Sequence, residues 1–312
     1  MYFKKPNFWD DKIGLLSSLL LPFTFFVKIN NFLNSKRKKF ISKKLKTICV
    51  GNIYVGGTGK TPFTIKLHNL LKKNKNVATA KKYYPSQKDE EILLKKKTNF
   101  LTASNRKKIL ELAVKKKIEI VIFDDGLQDN LIDYNVKIVC FDSKSAIGNG
   151  LLIPAGPLRE KLTSLIKYDA VIIKCNDKDP IKLIKLIKKY CPRIKIFKAD
   201  YQILNLNKID RSKKYYIYSG IGNPKSFELI LKKNKIKIAE TAIYPDHYTY
   251  SNKNFVAIIN EAKKYNAEIL TTEKDYVKVP YKFKKYFQFI KLDLVLSDEK
   301  KFMKFLKLKL ND

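Results

Sequence analysis

The sequence predicts an α/β protein with a mostly parallel sheet, helices on both of its faces, and a smaller second α/β lobe. Two observations support this prediction. Short β-branched runs alternate with longer amphipathic stretches along the chain, and this alternation is typical of parallel strands joined by crossover helices. The chain also has 312 residues, 45% of them hydrophobic, which is enough for two domains with packed cores.

The individual elements follow from these patterns. The strand candidates of the first lobe are 46–52, 76–80, 118–125, 136–142, 169–175 and 194–200. Helical patterns cover 61–74 and 106–117, and a third helix begins at Asp179-Pro180, a favourable helix start. A polar stretch at 204–214 precedes a second series of strands and helices. We therefore predict three segments: an N-terminal membrane-associating helix region (1–35), a larger α/β domain (36–206) and a C-terminal α/β lobe (207–312).

The composition limits the function classes. The formal net charge is +36, from 65 Lys and Arg against 29 Asp and Glu, but only five of the basic residues are Arg. Scattered lysines mostly cover solvated surfaces, whereas readout of nucleic acid favours Arg. We interpret the high net charge as a general compositional bias of the chain. The alternative is that the charge serves to bind an anionic partner, either a membrane surface or nucleic acid. Four cysteines without CxxC spacing indicate buried thiols in a reducing compartment, and two histidines exclude a histidine-rich metal site.

Residues 13–27 form the membrane-like feature of the sequence. This nearly uncharged stretch is interrupted by Pro22 and is followed by the basic segment "NSKRKKFISKK". As a helix, its fifteen residues would reach about 22 Å, short of the roughly 30 Å hydrocarbon core of a bilayer. We expect it to anchor the protein at an anionic membrane surface; the alternative is a buried core helix.

A glycine-rich stretch, "GNIYVGGTGKTP", connects the first predicted strand to the first predicted helix. Backbone N–H groups of such a loop wrap phosphate oxygens, and the following helix directs its positive end to the anion. A lysine then reaches the β- and γ-phosphates of ATP, and a hydroxyl reaches Mg²⁺. The predicted phosphate-binding residues are Gly56, Gly57, Thr58, Gly59, Lys60 and Thr61. The stretch predicts a P-loop NTPase-like fold, although Tyr54 replaces the first glycine of the strict pattern.

Three further segments carry candidate site residues. Asp124 and Asp125 follow an apolar strand, where a Mg²⁺-binding carboxylate of such proteins lies. Arg159-Glu160 lies in a Gly- and Pro-rich loop; an arginine retained in a lysine-rich chain suits bidentate phosphate contact. His247 suits a general base. The alternatives are an ordinary turn at Asp124-Asp125, a surface ion pair for Arg159-Glu160 and a structural role for His247. We interpret the other histidine, His68, as structural.

The order of these motifs resembles the tetraacyldisaccharide 4'-kinase family of lipid A synthesis. The residues that carry the resemblance are "GNIYVGGTGKTP", "DDGLQ", "GNGLLIPAGPLRE", "SGIGNPKSF", "YPDHYTYS" and "LTTEKDYVK". The resemblance implies ATP- and Mg²⁺-dependent phosphorylation of a sugar hydroxyl at the cytoplasmic face of the bacterial inner membrane. It implies an acylated glucosamine disaccharide lipid and the inner-membrane surface as partners. We expect no nucleic-acid partner, because Arg is scarce and no basic-aromatic stacking platform is evident.

The resemblance also assigns residues. It implies that 56–61 hold the ATP phosphates and that an Asp–His pair activates the hydroxyl. His247 matches the histidine of that pair, and Asp89 matches its aspartate. The residues that it implies around the phosphates and metal are Asp124, Asp125, Gln128 and Glu160.

The chain departs from the family pattern on the substrate side. The family's "SRGYGG" reads "KKYYPS" at 81–86, so that Lys82 is expected to replace an arginine, and Glu91 replaces a proline. The family's "DDGLQH" ends in Asp129 instead of His. Two rival functions follow: a nucleic-acid-stimulated P-loop ATPase, suggested by the net charge, and a nucleotide-binding relic of the kinase, suggested by these departures.

Overall fold

The computed structural model describes residues 6–35, 40–42, 44–83, 88–129, 131–175, 179–221, 224–245 and 248–311. The chain divides into two compact units. The first unit comprises Met1–Asp200 and Val295–Asp312, and the second comprises Tyr201–Leu294. The predicted lobe boundary at 206/207 lies six residues beyond this division, and the last residues belong to the first unit instead of the C-terminal lobe.

The described strands are numbered in chain order. They are β1 (Lys46–Gly51), β2 (Val77–Lys82), β3 (Phe100–Ala103), β4 (Ile120–Asp124), β5 (Val136–Asp142), β6 (Ala170–Lys174), β7 (Lys195–Ile203), β8 (Lys214–Ser219), β9 (Lys237–Ile243), β10 (Glu268–Thr272), β11 (Phe287–Ile290) and β12 (Leu292–Leu296). All six strands predicted for the first lobe are present, whereas β3 was not predicted.

The described helices are numbered in the same way. They are α1 (Leu15–Leu20), α2 (Thr24–Ser35), α3 (Lys60–Leu71), α4 (Lys88–Lys97), α5 (Arg106–Lys115), α6 (Ile181–Tyr190), α7 (Pro224–Lys233), α8 (Asn252–Lys264), α9 (Glu273–Tyr276) and α10 (Glu299–Leu310). The three helices predicted between strands of the first lobe correspond to α3, α5 and α6.

The first unit is built on an eight-stranded sheet with the order β12-β7-β6-β5-β1-β4-β2-β3. Strand β1 pairs in parallel with β4 on one side and with β5 on the other. Strand β2 pairs in parallel with β4 and β3. Parallel strands end at the same edge of a sheet, and ligands of such sheets bind at this carboxyl edge, near the point where the strand order reverses. The loop after β1 and the last residues of β2 and β4 therefore lie together.

The hydrophobic core explains why these runs form strands. Every residue of β4 and β6 is buried, as expected for a parallel sheet covered by helices on both faces. The C-terminal helix α10 joins this core through Phe302, whose ring lies 5.8 Å from Phe63 and 5.1 Å from Phe197 between centroids. This aromatic packing explains why the end of the chain belongs to the first unit.

The second unit has a four-stranded sheet with the order β11-β10-β8-β9. All three strand pairs of this sheet are parallel. Separate clusters of buried apolar side chains form around Tyr215 and Leu270 and around Tyr218 and Phe255. The second series of strands and helices therefore forms an α/β sheet of its own, as the sequence predicts.

The apolar N-terminal stretch forms two short helices, α1 and α2, with Pro22 in the turn between them. Many of its large apolar side chains are exposed; Leu15 is 87% exposed and Phe26 is 67% exposed. Within the part of the chain that the structure describes, no helix has the length and apolar character needed to span a bilayer.

Candidate active site

The glycine-rich loop connects β1 to α3, as the sequence predicts. Gly56 and Gly59 have φ values of +130° and +85°, which side chains with a Cβ rarely adopt. A Cβ added to Gly57 would meet no atom within 4 Å, so this part of the loop borders open space. Helix α3 begins directly after Gly59, at Lys60. Its positive end and the bare backbone of the loop can bind a phosphate group.

Asn52 and Tyr54 brace the start of this loop. The buried Asn52 side-chain amide donates hydrogen bonds to the Tyr54 carbonyl, to the Gly56 carbonyl (3.2 Å) and to Thr58 Oγ1 (3.1 Å). The Tyr54 ring packs with Leu158 in a small apolar cluster, and its hydroxyl donates to Asp10 Oδ1 at 3.1 Å. The residue that breaks the strict pattern thus has a packing role. Sequence reasoning missed Asn52, although a buried amide between a strand and a glycine loop is a recognisable signal.

Asp124 ends β4 at the floor of the site and is 1% exposed. Its carboxylate accepts hydrogen bonds from Thr61 Oγ1 (2.8 Å) and Thr64 Oγ1 (3.2 Å). Burial raises the pKa of Asp124, although Lys81 and Lys60 act in the opposite direction. The structure therefore brings the predicted hydroxyl, Thr61, to the predicted carboxylate, Asp124.

Asp125 has the left-handed backbone conformation, with φ of 60°. This conformation is uncommon for a non-glycine residue, and the Asp125 carboxylate lies beside two cations. The Lys60 Nζ lies 3.8 Å from Asp125 Oδ2, and Arg159 Nη1 lies 3.4 Å from Asp125 Oδ1. Burial alone would raise the pKa of Asp125, but the surrounding cations, of which Lys60 and Arg159 contribute most, together outweigh burial and hold this pKa below its usual value. The site thus combines an ionised carboxylate with two cations beside the phosphate loop.

Gln128 connects this group to Glu160. Its side-chain amide donates to the Asn52 carbonyl (2.8 Å) and to Glu160 Oε1 (3.0 Å), and its oxygen accepts from Arg159 Nη1 (3.2 Å). The buried Glu160 carboxylate also accepts from the Tyr168 hydroxyl at 2.8 Å. Burial, then the charge of Glu160, raises the pKa of Tyr168, so the hydroxyl keeps its proton. Hydrogen bonds therefore join Gln128, Arg159 and Glu160 in one network.

Arg106 stabilises the loop after β4. Its guanidinium pairs with the carboxylate of Asp129, and Nη2 donates to the Asp125 carbonyl at 2.7 Å. Asp129, which stands where the family has His, thus fixes the loop through an ion pair. The sequence analysis did not select Arg106. The argument that selected Arg159, that an arginine retained in a lysine-rich chain has a specific role, would also have selected Arg106.

Lys81 is a buried lysine that the sequence analysis does not select. It is 2% exposed, and its Nζ lies 3.7 Å from Asp124 Oδ2. The same ammonium group pairs with the Glu90 carboxylate of α4. Burial lowers the pKa of Lys81, and the Asp124 and Asp125 charges act in the opposite direction. Lys82, which the sequence analysis did select, follows it on the strand and faces the other side of the sheet.

Two predicted catalytic residues stay predictions. His247 lies outside the described residues. Asp89 is the second residue of helix α4, but its side chain is also outside the described part. The other histidine, His68, lies on α3, where its Nε2 accepts from the Asn99 backbone N–H at 3.4 Å. This contact gives His68 the structural role that the sequence predicts.

Comparisons with known proteins show which family this chain resembles. The family model described as "Tetraacyldisaccharide-1-P 4'-kinase" matches residues 14–311. The tetraacyldisaccharide 4'-kinase of Pelagibacter ubique (strain HTCC1062) is 46% identical over 304 residues, which cover 96% of each chain. The enzyme of the same name from Rickettsia typhi is 35% identical over 295 residues, covering 88% of this chain and 89% of that protein.

A solved structure gives the same result. The crystal structure of LpxK from Aquifex aeolicus, described as in complex with ATP, superposes with a TM-score of 0.72 at 26% identity. The match covers 95% of this chain and 100% of the other. Since the family model spans nearly the whole chain and these relatives are similar along their full length, the chain belongs to the tetraacyldisaccharide-1-P 4'-kinase family.

Proposed function

We propose that this protein transfers the γ-phosphoryl group of ATP to the 4'-hydroxyl of a tetraacyldisaccharide 1-phosphate, in lipid A biosynthesis. The observation that carries the proposal is the meeting of the phosphate loop with Asp124 and Asp125. Thr61 and Lys60, the residues that would face the phosphates, contact these two carboxylates at 2.8 and 3.8 Å. Phosphoryl transfer depends mainly on alignment and on neutralising charge, and this group supplies both.

The cations have separate tasks in this mechanism. Lys60 follows the glycine loop and binds the β- and γ-phosphates, while Arg159 balances charge that develops on the transferred group. Both lie beside Asp125. Charges that the fold holds in place need little reorganisation during the reaction. Lys60→Ala should lower turnover by about 100-fold or more.

The residues of the site fit Mg²⁺. This ion typically takes one or two carboxylates and completes its coordination with water and substrate phosphates. Asp124, Asp125 and the Thr61 hydroxyl form such a set, and Glu160 would support it through Gln128. When bound, the ion would neutralise negative charge on the phosphates. No larger group of His, Cys, Asp and Glu side chains suited to a metal is found among the described residues.

The acceptor hydroxyl requires a base. We assign this role to His247, oriented by Asp89, because imidazole accepts a proton near neutral pH. His247→Ala should lower kcat by about 100-fold or more without weakening ATP binding. A variant with unchanged kcat would remove His247 from the mechanism.

An acylated substrate resides in a membrane, and the N-terminal region supports delivery of the enzyme to that surface. Exposed side chains of α1 and α2 give an apolar face, and basic residues follow it in the sequence; such a combination binds anionic lipid surfaces. We assign it to the cytoplasmic face of the inner membrane. Leu15→Glu with Phe26→Glu should reduce sedimentation with anionic vesicles. Ile166→Glu, at a side chain that is 77% exposed elsewhere in the first unit, is the matched control and should leave sedimentation unchanged.

The decisive experiment is direct. The purified protein is incubated with radiolabelled ATP, Mg²⁺ and tetraacyldisaccharide 1-phosphate, and the lipid product is separated by chromatography. We expect one labelled lipid, absent with Lys60→Ala. Tight ATP binding without transfer would instead favour a non-catalytic relic, and ATP hydrolysis stimulated by nucleic acid would favour the rival ATPase.

A further inference from the structure

The segment that precedes β1 packs against the loop of residues 148–160, which carries the arginine and the glutamate of the candidate active site. Trp9 is buried, and its Nε1 donates a hydrogen bond to the Pro154 carbonyl at 2.9 Å. The Trp9 carbonyl accepts from the Asn149 backbone N–H at 2.8 Å. A Cβ added to Gly148 would overlap the same carbonyl oxygen. The segment and the loop therefore meet without spare room.

Helices α1 and α2 contact this loop through polar side chains. Ser17 of α1 is buried, and its hydroxyl accepts from Asn149 Nδ2 at 3.2 Å; the same amide group donates to the Ala155 carbonyl at 2.9 Å. On α2, Asn31 Nδ2 donates to the Arg159 carbonyl at 2.9 Å. Large apolar side chains of both helices are exposed. Each helix therefore combines exposed apolar side chains with a polar contact to the loop.

The main chain of Arg159 is fixed from two sides. Its N–H donates to the Ile53 carbonyl at 2.7 Å, and its carbonyl accepts from Asn31. Two residues earlier in the loop, the Pro157 carbonyl accepts from the Val55 N–H at 2.8 Å. Ile53 and Val55 belong to the glycine-rich stretch after β1, so this end of the loop lies between the glycine-rich stretch and α2.

Both side chains that flank the Arg159 carbonyl belong to the site. The Arg159 guanidinium donates to Gln128 Oε1 at 3.2 Å, and the Glu160 carboxylate accepts from the Gln128 amide at 3.0 Å. Asn31 also lines a cavity of about 90 Å³ together with Gln128, Glu160 and Tyr168. A carbonyl that loses its hydrogen bond turns towards another donor. Because Asn31 holds the peptide group between Arg159 and Glu160, loss of its hydrogen bond would move both side chains.

We propose that Asn31 is a positioning residue: through the Arg159 carbonyl, helix α2 holds the Arg159 guanidinium where it balances charge on the transferred phosphoryl group. The proposal rests on the proposed function, because it takes Arg159 as the group that balances this charge. Such a group must be aligned closely with the reacting atoms, and misplacement by about 1 Å can cost about 100-fold in rate. Asn31 itself contacts neither ATP nor the lipid in this role.

Asn31→Asp is the sharpest perturbation. Aspartate has nearly the shape of asparagine, but its ionised carboxylate only accepts hydrogen bonds, so it repels the Arg159 carbonyl instead of donating to it. Asn30→Asp is the matched control, because it makes the same chemical change at the preceding position of α2. The Asn30 side chain is exposed, and its Oδ1 accepts from Asn34 at 3.3 Å; aspartate keeps this acceptor.

Two measurements test the proposal. Turnover is measured with ATP, Mg²⁺ and tetraacyldisaccharide 1-phosphate in detergent micelles, so that binding to vesicles does not limit the rate. We expect Asn31→Asp to lower kcat by at least about fivefold and to change the Kd for ATP by less than about twofold. The chain has five arginines, so the Nε–H signal of Arg159 can be assigned by NMR with Arg159→Lys. This signal should move in Asn31→Asp, while the signal of the exposed Arg193 should stay.

Asn30→Asp should change neither kcat nor the Arg159 signal. Unchanged kcat in Asn31→Asp, an unmoved Arg159 signal, or equal effects of the two variants would overturn the proposal. If Asn31→Asp does not fold, Asn31→Ala and Asn30→Ala replace the pair with the same readouts. Arg159→Lys tests the proposed function separately: full turnover in that variant contradicts the role of Arg159 in transfer, whereas the NMR signal in Asn31→Asp reports on the hydrogen bond alone.

Discussion

Lys81 provides the strongest test of the candidate active site, because Lys82, its neighbour on the same strand, serves as a control. Lys81→Met removes an ammonium group that lies 3.7 Å from the buried Asp124 carboxylate and keeps a side chain of similar length. Lys82→Met makes the same chemical change on the opposite side of β2. We expect the two variants to differ strongly in stability.

The expected loss of stability in Lys81→Met follows from the ion-pair partner that the buried Asp124 loses. Removing one partner of a buried ion pair costs about 3–5 kcal/mol, since the other charge stays buried. We expect about 3 kcal/mol, the lower end of that range, because Asp124 keeps its hydrogen bonds from Thr61 and Thr64. The second partner of Lys81, Glu90, is 46% exposed and can be solvated. Lys82 is half-buried, whereas Lys81 is fully buried beside Asp124, so we expect a smaller loss for Lys82→Met than for Lys81→Met.

The assay is urea denaturation followed by tryptophan fluorescence. The chain has one tryptophan, Trp9, which is 2% exposed and lies in the first unit. Circular dichroism on the same samples checks that both signals report one transition. The double variant Lys81→Met/Asp124→Asn should recover about 1–3 kcal/mol relative to additivity. Equal losses for the two lysine variants, or strictly additive losses in the double variant, would refute the pairing.

Three further outcomes are expected. Gly126→Ala should lower the free energy of unfolding by about 1–3 kcal/mol, because its Cβ would lie 2.8 Å from the Tyr134 hydroxyl and 3.0 Å from Cys49 Sγ; a neutral result in urea denaturation would contradict this crowding. Burial lowers the pKa of His68 below 6.5, so the unfolded chain binds the proton more readily and stability is lost as pH falls below 6.5. His68→Gln should reduce this loss between about pH 7.5 and 5.5, and identical pH slopes would argue against it. Burial raises the pKa of Cys49 to about 12, so a thiol reagent at neutral pH should label the half-buried Cys175 well before Cys49, as peptide mapping can show.

The local sequence was sufficient to predict most strands of the first unit and its glycine-rich loop. The apolar runs that become β1, β4, β5 and β6 contain strand-forming residues along their whole length, and a parallel sheet buries them on both faces. The glycine loop was recognisable because Gly56 and Gly59 adopt conformations that other residues avoid. Strand β3 was missed because its four residues are too few for a clear period.

The partners of the charged residues were not predictable in this way. Arg106 and Asp129 are 23 positions apart, and Lys81 and Asp124 belong to different strands. In the sequence, these charged residues cannot be distinguished from the many solvated basic and acidic residues of this chain. Tyr54 was expected only to replace a glycine, yet it anchors the loop through Leu158 and Asp10. Each of these contacts joins residues that are distant in the sequence.

The sequence by itself determined the strand–loop–helix that can bind phosphate, the two aspartates after β4 and the α/β class of both units. These features depend on the backbone preferences and burial of consecutive residues. The tertiary structure decided which charges are paired: Lys81 with Asp124, and Arg106 with Asp129. The physical reason is that the pairing energy of a charge depends on burial and on distances of a few ångströms, and only the arrangement of the folded chain sets both.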